Sequence, residues 1–258
     1  RISSSGILSL AKLAALVELN LTVRAIDGTA IESVAGLPAL EQLNIIGHGP
    51  KGLDLAPLAK ASNLRSLTLR IPELNDSLIP TINQLQRLGT LDLKGTSVTS
   101  VFALASCSGL HTLSLICTSV TDVSALVGCS SLHTLSLHRS TVTDVSALAS
   151  CCSLHTLDIS WTGVTDVSAL ASCSRLHTLD LAFTGVTDVS ALAGSSSLHM
   201  LSLPSAVVGV SLLPGRISVH YEDEDDEDEG EDEDEDDDDE NEEEDEARDE
   251  GEDGDEAG

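Results

Sequence analysis

A six-residue pattern, L-x-x-L-x-L with Ile allowed in the last place, starts at Leu16, Leu40, Leu64, Leu88, Leu110, Leu132, Leu154, Leu176 and Leu198. The first three intervals are 24 residues and the next five are 22. A fixed period of this length dictates architecture, because no single copy can bury its own apolar side chains. One repeat is numbered from Leu132 as slot 1. Leu132, Leu135 and Leu137, at slots 1, 4 and 6, define a short strand with its leucines inward. Val142, Val145 and Leu148, at slots 11, 14 and 17, bring the chain back on the other side. Stacking such turns about 4.8 Å apart aligns the six residues into one core. The fold class expected is an α/β repeat solenoid spanning residues 1–220. Nine turns make it about 40 Å long, with short parallel strands on a concave face and irregular or 3-10 segments on the convex side. A fragment of an earlier turn stands in "ILSLAKLAAL" (7–16).

Other slots repeat as strictly. Asp122, Asp144, Asp166 and Asp188 share slot 13, just before V-S-A-L, where a side-chain oxygen can cap the free amides of a short helical turn. Thr96, Thr118, Ser140, Thr162 and Thr184 at slot 9 carry hydroxyls able to bond loop backbone. Cys107, Cys129, Cys151 and Cys173 share slot 20, whose earlier occupants include Leu37, Ala61 and Leu85. The position reads as inward, with Cys acting as a small hydrophobe. Thiols on adjacent turns would lie within bridging reach, yet buried structural thiols are inert, so reduced thiols and an intracellular location are expected. Cys117 at slot 8 is the one candidate reactive thiol, and Cys152 fits either reading. His111, His133, His155, His177 and His199 form a ladder at slot 2. An adjacent-turn pair supplies too few ligands for a closed zinc site, so no metal is expected there. Clustered imidazoles oppose one another's protonation, and most should titrate below the free value.

Of the 43 acidic residues, 29 fall between Glu222 and Glu256 with one base, Arg248, so this stretch carries −28. The other 14 acids and 12 bases leave the rest at −2. A segment with so little to bury and such self-repulsion is expected to be a disordered tail, residues 221–258. It would repel nucleic acid directly and attract basic proteins such as histones, or simply keep the solenoid soluble. No run of 18 apolar residues is present, so no membrane span is expected. The sequence begins at Arg1 within a repeat, which suggests a missing start. A phosphate-cradling glycine loop, H-E-x-x-H, C-x-x-C and a nucleophile elbow are all missing; neither an enzyme nor a cofactor is expected. Asn20 and Asn75 match the glycosylation acceptor pattern, which matters only for a secreted chain.

The hexads are the leucine-rich-repeat signature. "VTDVSAL", and more closely "LDLAPL" at 53–58, resembles the 22-residue internalin-type repeat, a class shared with a regulatory subunit of type-1 protein phosphatase. Thr stands where that pattern has Asn at slot 9, and Cys where it has Leu at slot 20. The layout, a leucine-rich domain followed by an Asp/Glu run, is similar to the acidic leucine-rich nuclear phosphoproteins. That resemblance implies histone chaperoning or phosphatase regulation and a nuclear role; the location expected from the chain is intracellular, cytoplasmic or nuclear.

Strand slots 3 and 5 point outward, with slots 7 and 8 following. Slot 3 is nearly constant as Thr and slot 5 alternates between Ser and Asp, whereas slots 7 and 8 run Lys94-Gly95, Ile116-Cys117, His138-Arg139, Ser160-Trp161 and Ala182-Phe183. A variable pair inside a copied repeat reads as exposed and free of structural demand. Arg139, Trp161 and Phe183 should stand in a row on neighbouring turns, where Arg and aromatics are typical interface anchors and Arg139 can make a cation–π contact with Trp161. The candidate partner-binding residues are Lys94, Ile116, Cys117, His138, Arg139, Trp161 and Phe183. The function expected is a protein–protein interaction scaffold binding a partner on the concave face. The alternatives are an acidic-tailed chaperone of histones or other basic proteins, a phosphatase regulator, and a secreted or surface adhesion protein.

Overall fold

The computed structural model describes residue 7 and residues 12–221. The expectation of a disordered acidic tail falls on residues outside that range.

Ten short strands form one sheet: β1 (Glu18–Val23), β2 (Gln42–Gly47), β3 (Ser66–Arg70), β4 (Thr90–Asp92), β5 (Thr112–Ser114), β6 (Thr134–Ser136), β7 (Thr156–Asp158), β8 (Thr178–Asp180), β9 (Met200–Leu203) and β10 (Ser218–Tyr221). Each pairs in parallel with the next in chain order. The register matches slot to slot, as in Leu135↔Leu157 and Leu157↔Leu179. The backbone ladder begins before the strands proper. The His111 carbonyl accepts from the amides of His133 and Thr134, and the His133 carbonyl from those of His155 and Thr156.

The inward slots behave as their spacing requires. Leu132, Leu135, Leu137, Val142, Val145 and Leu148 are all 0% exposed. Full burial of one such side chain is worth about 1.5–3 kcal/mol before its entropy cost. Only the stack supplies that burial, since each turn's ceiling and floor are its neighbours. The return segments differ with repeat length. The 22-residue repeats carry 3-10 turns at Phe102–Ser106, Ser124–Gly128, Ser146–Ser150, Ser168–Ser172 and Ser190–Gly194. Two of the 24-residue repeats use their extra residues for α-helix, α1 (Gly28–Ala35) and α2 (Ile79–Ile82).

Asp122, Asp144, Asp166 and Asp188 each accept from the amide of the serine two residues on, at 2.7–2.8 Å. That serine opens the 3-10 turn, so the aspartates satisfy amides the turn leaves free. These bonds hold all four carboxyls below their ordinary range. The sequence holds nine hexads, yet the described residues form ten strands. Ser218 of β10 pairs with Met200, which puts Val219 and Tyr221 where a hexad has leucine. No further strand follows it among the described residues, and backbone pairing with β9 holds it without the leucine signature.

Candidate functional site

Each strand from β4 to β8 ends in a tight turn. The slot 9 amide donates back to the slot 6 carbonyl, as from Thr96 to Leu93 at 3.2 Å and from Ser140 to Leu137 at 2.9 Å. Slot 8 lies in the left-handed region in every case: Gly95 at φ 71°, Cys117 at 54°, Arg139 at 53°, Trp161 at 57° and Phe183 at 54°. A four-residue turn with positive φ at its third residue is the pattern of type II, which favours Gly or Asn there. The conformation is imposed by the stack, because the slot 8 amide donates to the slot 7 carbonyl of the next turn: Gly95 to Ile116 at 2.8 Å, Cys117 to His138 at 2.9 Å, Arg139 to Ser160 at 3.1 Å and Trp161 to Ala182 at 2.9 Å. Slot 8 is therefore the most demanding backbone position of the repeat. This corrects the reading of slots 7 and 8 as structurally unconstrained.

Slot 7 also departs from expectation, because it does not face outward throughout. Ser160 and Ala182 are buried, and Lys94, Ile116 and His138 are half-buried. The Nδ1 of His138 lies 2.8 Å from the Ser160 hydroxyl, and the Ser160 amide donates to Asp158 at 3.0 Å. Lys94 likewise gives its amide to Asp92 at 2.9 Å.

Arg139, Trp161 and Phe183 form one ridge along three successive turns. The Arg139 guanidinium carbon sits 5.1 Å from the Trp161 ring centroid. The Trp161 and Phe183 rings stack at 4.1 Å and 22°. Trp161 keeps 43% of its surface exposed. Cys117 is exposed one turn before Arg139, with Ile116 next to it in the chain and Lys94 one turn earlier. Beside the ridge, Asp158 and Asp180 stand opposite each other on β7 and β8. Burial pushes the Asp180 carboxyl above its ordinary range; the adjacent Asp158 adds to this, while the Ala182 amide and His138 oppose it. Sequence reading missed this pair of carboxylates. Its only sign was the change from Ser to Asp at slot 5.

The two other ladders are in place. His133, His155, His177 and His199 stack at centroid separations of 4.8, 4.8 and 4.4 Å. Desolvation, followed by the charges of His133 and His177, holds His155 below its ordinary value. Among the described residues no group of three or more His, Cys, Asp or Glu is placed to hold a metal ion. The slot 20 thiols of Cys129 and Cys173 donate to the carbonyls of Leu104 and Leu148, at 3.2 and 3.3 Å. Burial pushes Cys129 up to about 12 and Cys173 to about 11. Cys117 and Cys152 are exposed. The Asn75 side chain accepts from the Ser77 amide and so caps a short turn, and Asn20 donates to Glu18.

No protein-family model matches this chain, and no curated protein does. Solved structures do. An internalin (inlF) from Listeria monocytogenes is 21% identical over 86% of this chain and 70% of its own, with a TM-score of 0.60. Internalin C2 of the same bacterium is 27% identical over 76% of this chain and 84% of its own, with a TM-score of 0.59. The plant peptide hormone receptor RGFR1, in complex with RGF2, is 14% identical over 84% of this chain and 37% of its own, with a TM-score of 0.61. The fold is thus that of a leucine-rich-repeat solenoid, and its repeats are similar to those of the internalins.

Proposed function

We propose that this chain is a non-catalytic protein-interaction scaffold that grips a protein partner along the Arg139–Trp161–Phe183 ridge. The observation carrying this reading is the cost of the ridge. An ordinary L-residue in the left-handed region gives up roughly 1–2 kcal/mol, and such strain concentrates at functional sites. Three consecutive turns place Arg, Trp and Phe where Gly95 shows that glycine fits. Stacking returns part of that cost, about 0.5–1.5 kcal/mol for an aromatic pair, but the exposed Trp161 face remains available to a partner. Support also comes from the fold, since the similar plant receptor is a peptide hormone receptor solved with its ligand.

The test is affinity capture with the full chain and with Arg139, Trp161 and Phe183 all changed to Ala, each at low and at high salt. Loss of the same captured protein at both salt levels supports the ridge. Unchanged recovery overturns it. A second reading is favoured by the −28 between Glu222 and Glu256: this segment attracts basic proteins, histones among them. Contacts of exposed charges are screened over about 8–10 Å at physiological ionic strength. Partners of the segment should therefore dissociate as salt rises and ignore the ridge substitutions. A basic partner held equally at high salt counts against that reading.

A further inference from the structure

Slot 5 holds a carboxylate on β4, β7 and β8, and each uses one oxygen in the same way. Through Oδ1, Asp92, Asp158 and Asp180 accept from the slot 7 amide of their own turn: Lys94 at 2.9 Å, Ser160 at 3.0 Å and Ala182 at 3.0 Å. The second oxygen tells them apart. On Asp92 it takes Nε and Nη2 of Arg70, from the preceding turn, at 3.1 and 3.0 Å. On Asp158 it takes the Ser136 hydroxyl, also from the preceding turn, at 2.9 Å. Opposite Asp180 on the preceding strand stands Asp158, which can only accept. Among the described residues nothing donates to Oδ2 of Asp180. In the same turn, beyond the inward Leu181 and the buried Ala182, comes Phe183. Its ring stacks on Trp161 at 4.1 Å, and Trp161 in turn carries the Arg139 guanidinium at 5.1 Å. The slot 8 residue of the next turn is the exposed Ser205, so the row of rings ends at Phe183.

We infer that Asp180 and Phe183 together receive an arginine side chain of the protein partner, an inference that rests on the ridge being the contact surface. The chain itself shows each half of such a site. Arg70 answers the slot 5 carboxylate of Asp92, and Arg139 lies against a ring of the ridge. On β8 the carboxylate and the ring belong to one turn, and no described Arg or Lys bonds Asp180. A guanidinium fits both at once, because it is flat enough to stack on a ring and presents parallel N–H groups to a carboxylate; an ammonium is a compact and strongly hydrated point charge. Charge complementarity points the same way. Asp158 adds its charge beside the half-buried Asp180, and a cation placed there relieves what burial and Asp158 impose on that carboxyl. The same two charges repel the acidic residues after Tyr221, whose one base, Arg248, is flanked by Glu246 and Asp249.

The experiment is an NMR titration of the full chain with the end-blocked tripeptides Gly-Arg-Gly and Gly-Lys-Gly. It is run at about 1 M salt, where exposed charges act over only about 3 Å and the acidic segment releases both peptides, while a half-buried pair is screened much less. The result expected is that Gly-Arg-Gly shifts the Ala182 and Phe183 amides and the Trp161 indole, binding about tenfold more tightly than Gly-Lys-Gly. Asp180→Asn keeps an oxygen for the Ala182 amide and should weaken Gly-Arg-Gly by about tenfold, with a thermal melt like that of the parent. Should that variant fail to fold, Asp180→Ser, which copies slot 5 of β5 and β6, repeats the comparison. Equal affinity for the two tripeptides overturns the inference, as does parent-like affinity in a folded variant. A gain in affinity on Arg248→Ala also overturns it, since the place would then belong to this chain's own arginine. Failure of the ridge itself is read separately, from unchanged capture by the triple alanine variant.

Discussion

At slot 8 the backbone is left-handed in five successive turns, and only Gly95 accepts this without a Cβ penalty. Cys117 has no stacking partner to offset it. Cys117→Gly should therefore raise stability by about 0.5–1 kcal/mol, the left-handed strain relieved less the extra chain entropy of glycine. Cys117→Ala keeps the Cβ and should leave stability unchanged; equal denaturant midpoints for Gly and Ala would refute the account. Slot 9 offers a second residue-scale case. The Thr96, Thr118 and Thr162 hydroxyls donate to the slot 6 carbonyl at 2.6–2.8 Å, whereas the buried Ser140 hydroxyl has no partner. Serine lacks the methyl group that restricts the threonine rotamer. Ser140→Thr should make the missing bond and gain about 1 kcal/mol, read as a higher melting temperature; a lower one would mean that the extra methyl does not fit. Slot 8 also marks the limit of legibility at this scale. That Arg139, Trp161 and Phe183 would stand in a row followed from their spacing. That their backbone would be strained did not, because φ is set by a hydrogen bond to the next turn, and Gly95 was the only written hint.

Ladders are the element-scale signature of this chain, and their pH behaviour follows from partners on adjacent turns. The fold depresses the affinity of His155 for a proton, while an unfolded histidine protonates near about pH 6.5. Its contribution is thus fully present above that pH and is lost as pH falls through the folded value. The capping aspartates also have depressed values. Their contribution is present above about pH 3.9 and is lost on further acidification. Melting temperature should accordingly decline in two stages on acidification, and His155→Thr should remove part of the first. A flat profile from about pH 7.5 to 5.5 would sink the upper stage. The thiol ladder makes a separate prediction. With Cys129 and Cys173 held near 12 and 11, thiolate is scarce at mildly alkaline pH. Native-state alkylation should label the exposed Cys117 and Cys152 first, with the buried Cys129, Cys151 and Cys173 labelled only after unfolding. Early labelling of Cys129 in a peptide map would contradict this.

At the scale of the whole solenoid, each turn touches only its neighbours, and stability is close to a sum of turn and interface terms. Removing one complete repeat, residues 132–153, leaves every remaining slot in register and should give a folded protein with the Trp161–Phe183 stack intact. Removing only 11 residues from the same place puts slot 12 where slot 1 belongs and should abolish the cooperative melt. If both deletions melt alike, slot register is not what holds the stack. The architecture itself could be read from the chain because nine hexads demand one answer: inward leucines at a fixed period bury themselves only by stacking. The aspartate caps, the inward cysteines and the histidine ladder followed from the same period, since a slot's environment is copied along with its residue. Besides the left-handed slot 8, three features came only from the assembled structure. The tenth strand lacks leucines because backbone pairing alone recruits it. Slot 7 is buried or half-buried, with its carbonyl held by the slot 8 amide of the preceding turn. The half-buried Asp180 depends on what stands beside it on neighbouring strands. Periodic positions were determined by the sequence alone because burial there repeats every turn; turn dihedrals, the last edge and side-chain neighbourhoods were decided by tertiary structure, because they depend on hydrogen bonds and contacts between turns.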